Sequence, residues 1–583
     1  MTDKFYSTEI NVQVVVALLK ANGIRKIVAS PGTTNYSLVG SLQSDPFFEI
    51  YSSVDERSAA YIACGMAAES GEPVVLTCTG ATASRNYIPG LTEAYYRKLP
   101  VLAITSHQGT DRIGQLIAQN VDRRSLPNDI ANLSVELPVV KDDRDRDFVV
   151  METNKAMLEL RRNGGGPVHI NIMTTYSRDF SVKQLPAYRV MRRYEAWDEL
   201  PTLEAGKVCV FVGSHVRFTE QLTKQVDRFC ATHDAVVICD HTSGYYGRYR
   251  LQPGLLAMQQ NGGYPVSFDL MIHIGEVSAA HFVGRTPVKE VWRVNADGEL
   301  RDPFKKLTCV FQMSEEAFFR HYGKDKSDKH SLIDFCHKAF SEIYSQIPEL
   351  PFSNVWVAMQ LSSRLPQGCL FHFSASNTRR CWNMFPLPEG VESASNVGCC
   401  GIDGTNSSAL GASLVNLERL TFFATGDLAF FYDMNALGNR HVGRNLRILL
   451  INNGVGAEFK LSSHPCFAFQ EEANPYMAAA GHYGNKSRTL VKHYAEDLGF
   501  QYLSAANKEE FAQAVETFVI PRLTDKPMLF EVFTSYTDEN DAMGAITTIS
   551  FDLKEAAKHK VADAIRSMVG EQTINKLKSI LKK

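Results

Sequence analysis

A carboxylate and an amide follow two apolar segments in the last third of the chain. Asp427 directly follows the segment 421–426, and Asn453 closely follows the segment 446–451. Both segments have the length and apolar character of buried parallel strands joined by a crossover helix. Ligands bind beyond the carboxyl ends of such strands. Because Mg²⁺ prefers oxygen ligands, Asp427 and Asn453 predict a magnesium site.

The residues around Asp427 predict that a diphosphate accompanies the metal. Gly426, Asp427 and Leu428 form a turn that leads into a helix starting near Ala429. Backbone amides at the start of a helix favour a bound phosphate. The alternative is an ordinary βαβ unit whose turn happens to contain Gly-Asp.

The Gly426-Asp427 pair, followed downstream by Asn452-Asn453, resembles the diphosphate motif of thiamine-diphosphate enzymes. The resemblance implies thiamine diphosphate as the cofactor. It also implies that the Asp427 and Asn453 side chains bind Mg²⁺ or Mn²⁺, and that a backbone carbonyl near Val455 completes the ligand set.

A second motif resembles the activating-glutamate segment of the same family. Glu56 lies in the run VDERSAAYIACGMAAESG, after a predicted strand and before a helix rich in alanine and glycine. The resemblance implies that Glu56 hydrogen-bonds the aminopyrimidine ring of the cofactor and so promotes removal of the thiazolium C2 proton. The alternative is a helix N-terminal carboxylate that the macrodipole favours.

The run Gly401-Ile402-Asp403-Gly404 contains a third cofactor-side candidate. The resemblance implies that Ile402 is the apolar wedge that bends the cofactor, with Gly401 beside it. A plain core isoleucine is the alternative, but flanking glycines favour a close backbone approach.

Other positions are candidates for substrate binding. The resemblance implies that Gln119, in AQNVDR, lines the substrate pocket and that Ser376 and Arg380, in SASNTRR, hold a substrate carboxylate. A guanidinium suits that role, and Arg379 is an equal candidate. His107, expected just after a strand, either transfers a proton or is a loop histidine without a role.

The motifs SPG, DERSAA, PVHIN, GIDG, GDL and NNG together are most similar to one branch of the family, over about residues 8–535. That branch contains the menaquinone-pathway synthases of 2-succinyl-5-enolpyruvyl-6-hydroxy-3-cyclohexene-1-carboxylate (SEPHCHC). They decarboxylate 2-oxoglutarate and add the acyl anion to isochorismate. The resemblance implies a homodimer or homotetramer with active sites between subunits.

Three arginines expected in that branch are replaced here, at positions that include Thr34 and His107. Each loss removes a charge-assisted contact of ~1.5–3 kcal/mol. We therefore expect the shared chemistry with a different acceptor, such as a sugar derivative bound by Thr34 and Asn35, and leave the 2-oxo acid open. The alternatives are a simple 2-oxo acid decarboxylase that releases an aldehyde, and a catalytically silent, cofactor-binding regulatory subunit.

The alternation of apolar strands with helices predicts an α/β fold of three doubly wound parallel-sheet domains and a helical C-terminal tail. We place a pyrimidine-binding domain at residues 1–185, a linker and central domain at 186–350, and a diphosphate- and metal-binding domain at 351–535. The tail covers 536–583. The central domain lacks a GxGxxG fingerprint, so no nucleotide is expected there.

The composition of the 583-residue chain restricts its partners and compartment. The net charge is −3, and no basic excess indicates nucleic acid. We find no signal-peptide pattern and no apolar run of ~18 residues, so we expect no membrane-spanning segment. The 12 cysteines are scattered, without a CxxC pair, which predicts reduced core cysteines in a cytoplasmic protein.

Overall fold

The computed structural model describes residues 5–260, 266–278, 285–323, 327–482 and 487–549. The chain divides into two compact units. The first comprises Met1–Glu199 and Gly298–Gln312, and the second comprises Leu200–Asp297 and Met313–Lys583. Within the described ranges, no helix has the length and apolar character needed to cross a membrane.

Strands and helices alternate along both units, which confirms the predicted α/β class. The strands are β1 (Lys26–Ala29), β2 (Glu49–Ser52), β3 (Val74–Cys78), β4 (Val101–His107), β5 (Leu133–Leu137), β6 (Val168–Met173), β7 (Arg192–Glu195), β8 (Val208–Val212), β9 (Val236–Ile238), β10 (Arg250–Leu251), β11 (Phe268–Ile274), β12 (Val288–Asn295), β13 (Leu307–Gln312), β14 (Leu370–Phe373), β15 (Glu392–Ala394), β16 (Thr421–Gly426), β17 (Leu446–Asn452), β18 (Gln501–Ala505) and β19 (Met528–Phe533). The helices are α1 (Ile10–Ala21), α2 (Tyr36–Gln43), α3 (Glu56–Ser70), α4 (Ala81–Asn86), α5 (Ile88–Tyr96), α6 (Asp143–Glu159), α7 (Glu220–His233), α8 (Gly254–Met258), α9 (Glu315–Tyr322), α10 (Ser331–Tyr344), α11 (Asn354–Ser362), α12 (Asn377–Trp382), α13 (Thr405–Val415), α14 (Asp427–Tyr432), α15 (Leu490–Asp497), α16 (Lys508–Phe518) and α17 (Tyr536–Ile546). Short 3-10 helices cover Thr110–Arg112, Arg162–Gly164, Met434–Gly438, Ala457–Lys460 and Pro465–Ala473.

The first unit is built on a six-stranded parallel sheet in the order β2-β1-β3-β4-β6-β5. Its central strands are apolar on both faces because helices cover both. Val75 and Ile104 pack in one core cluster with α1 and α6. Leu76 and Ala103, one position along in each strand, pack in a second cluster with α3 and α5. Successive strand residues point to opposite faces, so this arrangement confirms the doubly wound prediction.

A second six-stranded parallel sheet in the order β15-β14-β16-β17-β19-β18 forms the predicted diphosphate region of the second unit. Counted from the first strand of each sheet, its order is the same as that in the first unit. In both sheets the winding reverses between the first and third strands, and the crevice at such a switch point is where doubly wound sheets bind ligands.

The remaining strands lie in the predicted central region. In the second unit, β10, β9, β8, β11 and β12 are parallel neighbours in that order, and in the first unit β13 pairs in parallel with β7. β7 lies at the start of the segment 186–350, where the sequence analysis placed a linker. The sequence of β7, RRYE, has no apolar run that would identify it as a strand. The three domain limits stay a prediction.

Two predictions concern the cysteines and the C-terminal tail. All 12 cysteines are free in the structure and nine are buried, which confirms that most of them are core residues, whereas their reduced state stays a prediction. The tail begins with α17 as a helix. The helix predicted for Leu553 to Lys583 lies outside the described residues.

Candidate active site

The predicted metal ligands lie together in the second unit. β16 and β17 are parallel neighbours, with Gly426 opposite Ile451, so their carboxyl ends meet at one edge of the sheet. Asp427 is the first residue of α14, and its Oδ2 accepts a hydrogen bond of 2.6 Å from the Gly454 N–H. Asp427 therefore directly contacts the turn that contains Asn453.

The electrostatics of Asp427 fit a bound cation. The side chain is buried, and burial raises its pKa to about 6 although the N–H groups of Leu428 and Gly454 act in the opposite direction. Its hydrogen bonds come from backbone N–H groups, and no basic side chain in the described ranges forms an ion pair with it. An ionised carboxylate buried in this way needs a positive partner. A divalent cation held by oxygen atoms meets that need.

The second predicted ligand already has a defined orientation. The Asn453 Oδ1 accepts a hydrogen bond of 3.3 Å from the Val455 N–H, across the turn in which Gly454 has a φ of 73°. The amide oxygen is thus turned toward the same short segment that contacts Asp427. One carboxylate oxygen, one amide oxygen and a neighbouring backbone carbonyl match the hard donor set that Mg²⁺ prefers.

The loop before α13 has features that fit a bound cofactor. Ile402 is half-buried in this loop. A Cβ at Gly401 would lie 2.5 Å from Asp403 Oδ1, so a larger residue would displace the Asp403 carboxylate. The Thr405 hydroxyl at the start of α13 is buried and has no hydrogen-bond partner among the described residues. A polar atom left in this state indicates a missing partner.

Ser376 and Arg380 lie at opposite ends of the first turn of α12. Ser376 is the residue before the helix and has a φ of 64°. Arg380 Nη2 donates to Glu458 Oε1 at 2.6 Å, and both side chains are mostly buried. Arg379 is buried and donates to Cys400 Sγ at 3.4 Å. Arg380 is therefore already bound to a carboxylate of the protein, and both arginines stay candidates for the substrate carboxylate.

In the first unit, Glu56 is the first residue of α3. The preceding Asp55 caps the helix by accepting from the N–H groups of Arg57 and Ser58 at 2.8 and 3.2 Å. The half-buried Glu56 carboxylate accepts from Asn86 Nδ2 at 3.4 Å. Because Asp55 supplies the cap, Glu56 is not needed to satisfy the helix terminus.

Thr34 and Asn35 follow β1 and are both buried. Thr34 Oγ1 lies 2.6 Å from Thr79 Oγ1 and 2.7 Å from Ser106 Oγ, so its hydroxyl is engaged within the protein. Asn35 Nδ2 donates to the Ser30 carbonyl at 3.1 Å, whereas Asn35 Oδ1 has no partner in the described part of the chain. Asn35 also lines a cavity of about 670 Å³. Of the two, Asn35 is the better placed to meet a ligand.

His107 is the last residue of β4, not a loop residue as expected, because the strand continues to pair with β6 as far as Met173. Its Nδ1 accepts from the Gly109 N–H at 3.1 Å. Burial, together with the nearby Arg123 guanidinium, lowers its pKa to about 4. His107 is therefore neutral at pH 7. Gln119 lies on an exposed loop with a φ of 66°.

Several buried charged residues escaped the sequence analysis, among them Arg123 and Glu539. Arg123 is 4% exposed and donates to Asn171 Oδ1 at 2.7 Å and to the Ser106 carbonyl at 3.3 Å. No local signal separates it from the exposed Arg124 that follows. Glu539 is 1% exposed in the first turn of α17. The Ser535 cap marks that helix, but an acidic first turn is typical of exposed carboxylates as well.

Comparison with known proteins gives two results. Residues 11–126 match the family described as "Thiamine pyrophosphate enzyme, N-terminal TPP binding domain". The 2-succinyl-5-enolpyruvyl-6-hydroxy-3-cyclohexene-1-carboxylate synthase of Bacteroides thetaiotaomicron is 31% identical over 558 residues, which cover 91% of this chain and 97% of the relative. Proteins of the same name from Bacteroides fragilis (strain ATCC 25285) and Flavobacterium psychrophilum are 31% and 26% identical, over 91% of this chain and 97% and 96% of their own lengths.

Proposed function

Because the chain belongs to the thiamine-diphosphate enzyme family that includes the SEPHCHC synthases, we propose that it decarboxylates 2-oxoglutarate and joins the remaining acyl unit to isochorismate. The contact of Asp427 with the turn containing Asn453 carries this proposal on the structural side. The expected sugar-derived acceptor has no support, since the relatives bear the name of the SEPHCHC reaction.

The metal and diphosphate would be held in the second unit. Asp427, Asn453 and the Val455 carbonyl would bind Mg²⁺, and the backbone at Gly426, Leu428 and Gly401 would lie beside the diphosphate. Ile402 would support the bent form of the cofactor. Thiamine diphosphate, when bound, supplies the electron sink that decarboxylation of a 2-oxo acid requires.

Glu56 would hold a proton shared with the aminopyrimidine ring. Its carboxylate is free of the capping role, and among the described residues the hydrogen bond that restrains it is the long 3.4 Å contact with Asn86. A carboxyl group at this position can exchange a proton with a bound base without rearranging the helix.

The remaining candidates would bind substrate. Arg380 would share its guanidinium between Glu458 and a substrate carboxylate, which a planar five-donor group allows. Asn35 would offer its Oδ1, which has no partner among the described residues, to the acceptor. Ser376, Thr34 and Gln119 would be further substrate-binding residues. His107, neutral at pH 7, would act as a hydrogen-bonding group.

A homodimer or homotetramer would complete the site. Large apolar side chains near Glu56 are exposed in a single chain, with Val54 at 80%, Tyr61 at 48% and Ile62 at 45%. Such a cluster beside a catalytic candidate favours coverage by a second subunit. In this arrangement Glu56 of one subunit would serve the metal site of the other.

Product analysis tests the proposal. Purified protein with thiamine diphosphate and Mg²⁺ should convert 2-oxoglutarate and isochorismate to SEPHCHC, detected by mass spectrometry. Parallel reactions without acceptor, and with sugar aldehydes, distinguish a ligase from a simple decarboxylase. Succinic semialdehyde as the sole product in the presence of isochorismate would overturn the proposal.

A further inference from the structure

Arg178 lies in the first unit, in the loop that follows β6, and its side chain is exposed. It lines the cavity of about 670 Å³ that Asn35 also lines. Ala29 and Ser52 form one wall of this cavity, and they are opposite each other in the parallel strands β1 and β2. The cavity therefore lies beside the carboxyl ends of two strands. Among its lining residues in the described ranges, Arg178 is the one that carries a charge.

The backbone that leads to Arg178 is held in place by a buried carboxylate. Glu9 is 8% exposed and accepts hydrogen bonds from the Thr175 N–H at 3.1 Å and the Ser177 N–H at 3.2 Å. The Tyr36 hydroxyl donates to the Ser177 carbonyl at 2.5 Å. Because Tyr36 itself lines the cavity, these contacts fix the loop against the cavity wall.

The residues after Arg178 are fixed as well, while its guanidinium stays available. Phe180 packs so closely on Gly40 that a Cβ there would lie 2.6 Å from the Phe180 ring. The acidic neighbour Asp179 accepts from the Ser181 N–H at 2.9 Å. Within the described part of the chain, the Arg178 guanidinium forms no hydrogen bond and no ion pair. A ligand could therefore bind this guanidinium without ordering the loop or breaking an existing pair.

A cavity with neutral polar walls and one cation is suited to an anion that also carries polar groups. A guanidinium binds a carboxylate through two parallel hydrogen bonds. Isochorismate, the proposed acceptor, has two carboxylates and a hydroxyl group. The first-unit residues assigned above to substrate supply no positive charge, since His107 is neutral at pH 7 and Thr34, Asn35 and Gln119 are uncharged.

We propose that Arg178 binds one carboxylate of the acceptor in this cavity and thereby selects an anionic acceptor over a neutral one. This inference rests on the proposed function, in which isochorismate is the acceptor and Asn35 contacts it. A charge-assisted hydrogen bond of this kind changes affinity about 10–100-fold.

Calorimetric titration with isochorismate tests the inference on the protein loaded with thiamine diphosphate and Mg²⁺, in the absence of a 2-oxo acid. Arg178→Gln should weaken binding about 10–100-fold, and Arg178→Lys, which keeps the charge, should lose less. Arg144→Gln is the matched control, because Arg144 is an exposed arginine of α6 outside the cavity lining. Wild-type affinity in Arg178→Gln would overturn the inference alone. A wild type that binds no isochorismate would also reject the proposed acceptor.

Steady-state kinetics distinguish binding of the acceptor from a general disturbance. Arg178→Gln should raise the KM for isochorismate and leave the KM for 2-oxoglutarate unchanged. The wild-type KM for isochorismate should rise with ionic strength more steeply than that of the variant, because salt screens a charge pair near the surface. An equal rise in both KM values, or the same salt dependence in both proteins, would overturn the inference.

A double variant tests whether Arg178 acts within the cavity. Val39 lines the cavity from α2, so Val39→Trp should narrow it and weaken isochorismate binding. Adding Arg178→Gln to Val39→Trp should then cost much less than Arg178→Gln costs alone, because both changes affect one bound group. Losses that add in full would overturn the inference, as would wild-type affinity in Val39→Trp.

Discussion

The two six-stranded sheets share a strand order but differ in how deeply the carboxylates beyond their strands are buried. In the first unit, the carboxylate predicted to be catalytic is half-buried, and a neighbouring residue, Asp55, caps the helix in its place. In the second unit, Asp427 and Glu539 are both buried and lack a basic partner in the described ranges. The same framework therefore supports two kinds of carboxylate site.

The difference shows that the loops beyond the strands, and not the order of the strands, assign the chemistry. A half-buried carboxylate can exchange a proton with a ligand at little cost. A buried carboxylate without a basic partner is stabilised by a cation. On the proposed roles, the first sheet end would serve proton transfer, and the second would hold a metal and the anionic group bound to it.

The largest expected effect tests the proton-transfer side of this comparison. Glu56→Gln should lower turnover of the 2-oxo acid about 10²–10⁴-fold, because an amide cannot exchange a proton with the cofactor. Steady-state assays of CO₂ release measure it. Glu69→Gln, on the exposed face of the same helix, is the matched control. Unchanged turnover in Glu56→Gln would reject the assignment.

On the metal side, Asp427→Asn should reduce Mg²⁺ affinity at least about 100-fold, since it removes the only predicted charged ligand. Calorimetry in the presence of thiamine diphosphate measures the change. The buried Glu531, whose Oε1 accepts from Asn452 Nδ2 at 2.7 Å, provides a control outside the predicted ligand set. If Glu531→Gln weakened Mg²⁺ as strongly, a general loss of packing would explain both results.

The buried histidine at the first sheet end predicts a dependence of stability on pH. The pKa of His107 is about 4 in the folded protein and 6.5 in the unfolded chain. The unfolded chain therefore gains a proton first as the pH falls. The stabilisation from the buried neutral His107 is complete above pH 6.5. As the pH falls toward 4, the free energy of unfolding decreases by about 3 kcal/mol.

Chemical denaturation of wild type and His107→Asn at pH 7 and pH 4.5 measures this effect. The free energy of unfolding of the wild type should fall more steeply with acidification than that of the variant. Parallel profiles for the two proteins would show that the imidazole is accessible to protons in the folded state, contrary to its burial.

The smallest expected effect concerns the substrate carboxylate. Arg380→Gln should raise the KM for the 2-oxo acid about tenfold while leaving cofactor affinity unchanged, because Glu458 already uses part of the guanidinium. Arg379→Gln is the comparison, since sequence alone could not separate the two. A larger KM increase in Arg379→Gln would transfer the role to that residue.

The sequence predicted those parts of the fold and site that depend on local patterns. Continuous apolar runs identified β16 and β17, and the positions after them led to the prediction of Asp427 and Asn453 as metal ligands. Parallel strands bring such residues together without further information. The family membership confirms the thiamine-diphosphate enzyme that these motifs indicated.

The features that sequence reasoning missed depend on contacts between distant segments. Arg123 is buried in a loop, and Asn171 on β6 accepts a hydrogen bond from its guanidinium. Thr34 stays a predicted substrate-binding residue, but the contacts of its hydroxyl with Thr79 and Ser106 were not predicted. These partners cannot be inferred from the residues that flank each position. β7 was missed for the same reason, because its pairing with β13, and not its own sequence, identifies it as a strand.

The order of the strands in the second sheet has a consequence for biosynthesis. A ribosome makes Asp427 and Asn453 with β16 and β17, but β17 pairs on its other side with β19, which is made much later. On the proposed metal-binding roles, a nascent chain would have both ligands before the sheet that positions them is complete. Loading with the vitamin-derived coenzyme would then follow synthesis of the sheet instead of accompanying it.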